Sequence, residues 1–169
     1  RNNKPSRKFM TGLIQGEEAY LEYYEPAAVV GQGRLHIFRI DRAYRRDLQG
    51  VTDPRTQVKS GSASGFGSSL ACHENAGCPA GDDWQNQSRS VCRILVVVEE
   101  GMGYCTGTLI NNTRQDAEPY VLSAFHCQDG YTPLYDFWRF DFNYQSPGCQ
   151  NPPAEPAFQS ILGSELLAG

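Results

Sequence analysis

The clearest hydrophobic pattern lies in the middle of the chain. Residues 91–98 form a nearly continuous apolar run, which predicts a strand that is buried on both faces. Further strands are predicted at residues 104–110, 119–124 and 137–143, separated by polar turns. Because the strands recur at short intervals and no helical periodicity accompanies them, the pattern predicts an all-β antiparallel sandwich or barrel. Only residues 157–167 could form a short helix.

A second β pattern lies nearer the N-terminus. Residues 18–25 alternate between apolar and polar positions, and Pro26 ends the run because proline cannot donate a ladder hydrogen bond. A turn at residues 31–33 leads into a second predicted strand at residues 34–40, in which His36 is interpreted as an ordinary strand residue. Two or three strands cannot enclose a core, so this region is expected to be the end of a larger β domain.

Charge and composition divide the chain into two parts. Residues 1–60 contain eleven Lys or Arg against seven Asp or Glu, whereas residues 61–169 contain four against twelve and all six cysteines. Eight of the ten residues from 60 to 69 are Ser or Gly, a composition typical of linkers. The predicted organisation is the C-terminal part of a preceding β domain over residues 1–59, a Ser/Gly-rich linker over 60–70 and the N-terminal half of a second domain over 71–169.

Composition also excludes several function classes. No apolar run in the sequence approaches the ~18–20 residues that a membrane-spanning helix needs. The net charge of −4 leaves no basic patch for nucleic acid, which is therefore not expected as a partner. Six cysteines are many for a cytosolic chain without a metal, so the sequence predicts a secreted or cell-surface protein with disulfides.

The residues that could carry chemistry lie between positions 105 and 127. Cys105 begins the segment Cys-Thr-Gly-Thr-Leu-Ile, and His126 stands beside Cys127 at the end of the following element. A Cys105–Cys127 disulfide would close a loop of about twenty residues and remove ~3 kcal/mol of unfolded-chain entropy. It would also hold His126 rigidly, as a general base requires. Taken alone, a histidine beside a cysteine more often has a structural role.

These segments resemble a known family. Cys105-Thr-Gly-Thr-Leu-Ile and Tyr120-Val-Leu-Ser-Ala-Phe-His-Cys127 are similar to the Cys-Gly-Gly-Ser-Leu-Ile and Leu-Thr-Ala-Ala-His-Cys motifs of trypsin-like serine proteases. The sequence is more similar still to the bacterial lysyl endopeptidase branch of this family. It has an early Cys-x5-Cys-Pro, here Cys72 to Pro79, and a Cys-Thr-Gly-(Ser/Ala/Thr)-Leu-(Ile/Val)-Asn-Asn-Thr segment, here Cys105 to Thr113. The resemblance covers residues 66–150.

The resemblance implies a fold and a disulfide pattern. The implied fold is the first β-barrel of a two-barrel trypsin-like protease, incomplete in this chain and preceded by the end of a β-sandwich-like module. Within the chain, the implied disulfides are Cys78–Cys149 and Cys105–Cys127. Cys72 would pair with a cysteine beyond Gly169, whereas Cys92 departs from the family pattern and is expected to pack as a small buried thiol.

The activity that the resemblance implies is peptide-bond hydrolysis by a His/Asp/Ser triad, after Lys in this branch and without a cofactor. His126 matches the general base, which takes the proton of the serine. The resemblance puts the triad aspartate just beyond Gly169 and the serine farther on, so the chain alone is expected to be inactive. Asp129, Asp136 and Asp141 are expected on loops or strand surfaces.

The expected partners follow from the same resemblance. A protein or peptide is the expected substrate, and the remainder of the protease domain or an assembly partner is expected to cover the exposed face of the first barrel. Without such a cover, apolar surface and unpaired strand edges would invite aggregation.

Two other function classes fit the sequence less well. A zinc site is disfavoured because Cys-x5-Cys is wider than the usual spacing and no His-x3–5-His follows, so no metal is expected. Its candidate ligands would be Cys72, His73, Cys78, Cys105, His126 and Cys127. The second alternative is a non-catalytic binding or structural module of an extracellular assembly, because the segment that would carry the nucleophile lies outside the chain.

Overall fold

A five-stranded antiparallel sheet is the main element of the computed structural model, which describes residues 5–12, 14, 17–42, 72–151 and 155–169. The strands are β1 (Val91–Val98), β2 (Gly101–Ile110), β3 (Tyr120–Ser123), β4 (Arg139–Phe142) and β5 (Gln159–Leu162). They lie side by side in the order β3-β2-β1-β4-β5. The predicted all-β class is confirmed.

Short helices connect these strands. Helix α1 (Gln85–Ser90) leads directly into β1. Single turns of 3-10 helix lie at Ala27–Val29, Phe125–Cys127 and Tyr135–Phe137, and a longer 3-10 helix lies at Pro79–Trp84. None of the helices in the described part of the chain is long and apolar enough to cross a bilayer.

Strand β1 forms the centre of the core. It pairs with β2 along its whole length and with β4 through residues 92–95, so both of its edges are hydrogen-bonded. Ile94 and Leu95 point to opposite faces and are 0% and 1% exposed, which confirms the prediction of a strand buried on both faces. The cluster around it comprises Cys92, Ile94, Val96, Val97, Val98, Trp138 and Phe140.

The C-terminal part of the chain forms a strand where the sequence suggested a short helix. Residues 159–162 of β5 pair with β4, with Phe140 opposite Ile161. The reason is tertiary: β4 pairs with β1 along one edge and offers its other edge to residues 159–162. The helix considered for residues 157–167 was therefore a wrong interpretation.

Residues 17–42, called the N-terminal region below, lack the two predicted strands. Neither residues 18–25 nor residues 34–40 belong to a strand, although both alternate in the sequence, and His36 is an exposed residue outside any strand. The predicted turn is confirmed and lies within residues 26–33. There the Glu25 carboxylate accepts hydrogen bonds from the Gly31 and Gly33 amides at 2.6 and 2.8 Å. The hydrogen bond from the Gly31 amide is the main cause of the lowered pKa of Glu25.

Two side chains join the N-terminal region to the sheet. Arg39 Nη1 donates to the Val98 carbonyl at 2.9 Å, at the end of β1. The Phe38 ring stacks on Phe137, with centroids 6.1 Å apart. The linker over residues 60–70 lies outside the described residues, so the predicted domain boundaries stay a prediction.

Candidate active site

The two sequence segments that carry the family resemblance are neighbours in the sheet. Residues 105–110 form the second half of β2, and residues 120–123 form β3. Their register places Gly107 opposite Ser123 and Ile110 opposite Tyr120. The motif halves, separate in sequence, therefore build one corner of the sheet.

The glycine of the first motif is required by packing. A Cβ atom on Gly107 would lie 2.8 Å from Ile94 Cδ1 and 2.8 Å from Val121 Cγ1, closer than carbon atoms approach in proteins. The backbone carbonyl of Gly107 also accepts a hydrogen bond from the buried Cys92 thiol at 3.5 Å. A side chain at position 107 would displace the side chains of Ile94 on β1 and Val121 on β3.

His126 lies in the 3-10 turn Phe125–Cys127, directly after β3. The turn is tied to β2 by the Cys105–Cys127 disulfide, with an S–S distance of 1.97 Å and a Cα–Cα distance of 6.1 Å. Ser123 adds a second tie, because its hydroxyl donates to the Thr106 carbonyl at 2.9 Å. The backbone that carries His126 is thus anchored to the sheet on both sides.

The His126 side chain is exposed. No hydrogen bond or ion pair joins its imidazole to any other described residue. An exposed imidazole on a fixed backbone is chemically suited to accept a proton from a nucleophile and return it to a leaving group.

The other disulfide anchors the segment before α1. Cys78 and Cys149 are joined, with an S–S distance of 1.98 Å, and Asn75 Nδ2 donates to the Cys149 carbonyl at 2.9 Å. Both disulfides in the structure are the pairs that the resemblance implies. The two remaining cysteines are free: Cys72 is exposed, whereas Cys92 is 1% exposed.

The three aspartates near His126 in sequence have different environments. Asp129 is exposed, and Asp136 forms a 3.4 Å ion pair with Lys8. Asp141, by contrast, is 0% exposed in the middle of β4, so its expected position on a strand surface was wrong. None of the three is hydrogen-bonded to His126.

The buried Asp141 carboxylate is tolerated because two arginines pair with it. Its Oδ2 accepts hydrogen bonds from Arg93 at 2.8 Å and from Arg139 at 3.0 Å, while Oδ1 accepts one from Ser160 at 2.6 Å. A buried charge is tolerated only with such partners. The three charged residues, called the ionic cluster below, join strands β1 and β4, and Ser160 extends the contact to β5.

Aromatic rings cover the exposed side of the ionic cluster. The Arg93 guanidinium lies 3.4 Å from the centroid of the Tyr144 ring and 4.9 Å from that of Tyr104. Burial raises the pKa of Tyr144, and its hydrogen bond to Glu155 raises it further. Sequence reasoning missed the cluster, although Arg93 interrupts an otherwise apolar run and a charge at such a position demands a buried counter-ion.

Six residues were named above as candidate zinc ligands, and the structure does not bring all of them together. One group is brought together: the ligand atoms of Cys105, His126 and Cys127 lie within 4.8 Å of one another. Its two sulfur atoms are bonded to each other, so neither is a thiolate in this state. Elsewhere, Cys72 Sγ lies 3.7 Å from His73 Nδ1 on the exposed surface.

A comparison with known families agrees with this arrangement. An antiparallel sheet with a histidine beside a disulfide is the arrangement that the resemblance to trypsin-like proteases implies. Residues 66–169 match the family model described as lysyl endopeptidase, C-terminal domain. The chain therefore belongs to the lysyl endopeptidase family, and its function is protease-related. No solved structure matches the chain.

Proposed function

We propose that this chain is the histidine-bearing half of a secreted serine endopeptidase that hydrolyses peptide bonds after Lys. The observation that carries the proposal is His126: it is exposed and held by the Cys105–Cys127 disulfide, within a family match to lysyl endopeptidases. In the proposed reaction His126 takes the proton of a serine hydroxyl as the serine attacks the peptide carbonyl. It then gives that proton to the leaving amine.

The triad aspartate and serine are proposed to come from the remainder of the protease domain. Apolar side chains near His126 support a covering partner, since Leu122 is 63% exposed and Phe125 is 60% exposed. Exposed apolar patches of this kind mark surfaces that other protein segments cover. The 169-residue chain by itself is therefore proposed to be inactive.

Secretion and the domain organisation complete the proposal. Two disulfides support an oxidising compartment outside the cytoplasm. We place the C-terminal part of a preceding domain at residues 1–59, the linker at 60–70 and the protease half at 71–169, with Lys59 as the site at which the linker is cut. Limited digestion with a lysine-specific protease, followed by N-terminal sequencing, tests this boundary.

The activity is tested on the chain extended by the coding sequence that follows residue 169. Fluorogenic peptides with Lys or Arg before the scissile bond measure turnover, and a fluorophosphonate probe labels an activated serine. His126→Ala should lower kcat by on the order of 10⁶-fold. His73→Ala, which changes another exposed histidine, should leave kcat unchanged.

The outcomes separate the proposal from its rival. Turnover with Lys peptides that depends on His126 supports the endopeptidase. Peptide binding without turnover or probe labelling would instead support the non-catalytic module. Turnover that survives His126→Ala would contradict the role given to this histidine.

A further inference from the structure

The group formed by Cys105, His126 and Cys127 has a second chemical capacity beyond the proposed hydrolysis. We propose that reduction of the Cys105–Cys127 disulfide converts these three residues into a site for Zn²⁺ or a similarly thiophilic divalent cation. Thiolate and imidazole are the ligands that zinc prefers, and three protein ligands leave a fourth position for water.

The geometry requires only small movements. Tetrahedral zinc with ordinary bond lengths places two sulfur atoms ~3.8 Å apart and a sulfur and a nitrogen ~3.6 Å apart. In the oxidised state, in which the two sulfur atoms are bonded to each other, the three ligand atoms lie within 4.8 Å of one another. The two sulfur atoms, now 1.97 Å apart, must separate by rotation about their side-chain bonds, while the Cα atoms stay at about 6.1 Å.

The backbone around the site does not depend on the disulfide alone. Strands β2 and β3 pair from Gly107–Ser123 to Ile110–Tyr120, immediately beside the site. The Ser123 hydroxyl bonds the Thr106 carbonyl and lies 3.5 Å from Cys127 Sγ. These contacts keep the two cysteines close once the covalent bond is broken, which is the preorganisation that a metal site needs.

The chemistry balances with a dithiol as the reductant. The dithiol breaks the S–S bond, gives each sulfur one electron and one proton, and itself becomes a cyclic disulfide. Metal binding then releases both thiol protons to solvent, while His126 binds through the lone pair of its neutral ring. That lone pair no longer accepts a proton, so a metal-loaded enzyme would lack its general base. This consequence rests on the proposed function, whereas the metal site does not.

The other cysteines of the described residues do not form an equivalent group. No histidine, aspartate or glutamate completes such a group with Cys78 and Cys149 in the described part of the chain. Cys72 stands beside His73 but is a single thiol, so it is changed to Ser in every protein of the test below.

Cobalt binding tests the site directly. Co²⁺ is added to two samples of the Cys72→Ser protein, one with its disulfides intact and one reduced with a phosphine. A phosphine is chosen because it binds Co²⁺ only weakly and so competes little with the protein. The reduced protein should bind one equivalent with thiolate-to-cobalt charge transfer and tetrahedral d–d bands, and the oxidised protein none. His126→Ala should weaken binding by at least ~10-fold, and His73→Ala should not. Reduced protein that binds no cobalt, or that is insensitive to His126→Ala, overturns the proposal.

A reductant also opens the Cys78–Cys149 disulfide. A second pair of variants therefore tests the site without a reductant. Cys105→His and Cys105→Ala both abolish the Cys105–Cys127 bond, but only Cys105→His keeps three ligands. Zn²⁺ should bind Cys105→His at least ~10-fold more tightly than Cys105→Ala. Equal affinities would contradict the site. Neither measurement uses peptidase activity, so failure here is distinct from failure of the proposed hydrolysis.

Discussion

The N-terminal region and the sheet both contain segments whose sequence pattern predicts strands, but they have different structures. In the N-terminal region Tyr20 is 91% exposed and Ile40 is 84% exposed. In β1, by contrast, Ile94 is 0% exposed. Strand β1 has a partner along each edge, whereas the described part of the N-terminal region pairs with no strand. A segment with a strand-forming pattern thus becomes a buried strand only where another segment supplies the missing ladder.

The ion pairs of the two regions differ in the same way. Asp41 pairs with Arg39 at 2.8 Å, with both side chains about a quarter exposed. Asp141 is fully buried between Arg93 and Arg139. When the Asp41–Arg39 pair is broken, water can hydrate the charge that remains. Water cannot do this for the charges that are buried around Asp141. The sheet should therefore be sensitive to substitutions that the N-terminal region tolerates.

The largest difference is expected for the two aspartates. Asp141→Asn leaves the buried Arg139 without its counter-ion, although Arg93 keeps Glu155, and should lower the free energy of unfolding by about 3–5 kcal/mol. The matched change Asp41→Asn should lower it by at most about 1 kcal/mol. Denaturant unfolding monitored by circular dichroism measures both. Equal losses would show that the N-terminal region is as tightly integrated as the sheet.

A smaller difference is expected for two isoleucines. Ile94→Ala leaves a cavity at the centre of the core and should cost about 2–5 kcal/mol of unfolding free energy. Ile37, in the N-terminal region, is 58% exposed, so Ile37→Ala should change it by no more than about 0.5 kcal/mol. The same unfolding experiment applies. A large loss with Ile37→Ala would place that side chain in a core of its own.

The smallest effect concerns the buried thiol of β1. Burial raises the pKa of Cys92, so above pH ~8.5 the folded protein keeps a thiol proton that the unfolded chain loses. Stability from this group is therefore present at lower pH and falls as pH rises through that range. The free energy of unfolding should be lower at pH 9.5 than at pH 7.5 in the natural protein. The difference should be smaller in Cys92→Ala.

Labelling provides the control for that measurement. In the 169-residue chain, where Cys72 is free, iodoacetamide should modify the exposed Cys72 rapidly in the folded state and Cys92 only after unfolding. Rapid labelling of Cys92 in the folded state would show that β1 opens locally and would remove the basis of the pH prediction.

Much of the sheet could be predicted from the sequence, because its strands carry strong local patterns. The run at 91–98 and the alternation at 137–143 indicate buried faces whatever surrounds them, and β1 and β4 confirm both. The resemblance in residues 105–113 and 119–127 pointed to the corner of the sheet where His126 lies. The catalytic role of His126 stays a prediction.

Tertiary structure decided what depends on distant partners. Strands predicted at 18–25 and 34–40 did not form, whereas residues 159–162 became β5 by pairing with β4. Asp141 was expected at the surface but is buried, because Arg93 and Arg139 lie beside it only in the folded sheet. The sequence by itself determined which segments had an apolar face to bury. The fold decided which of them found a partner, since ladder hydrogen bonds and buried counter-charges join residues that are far apart in the chain.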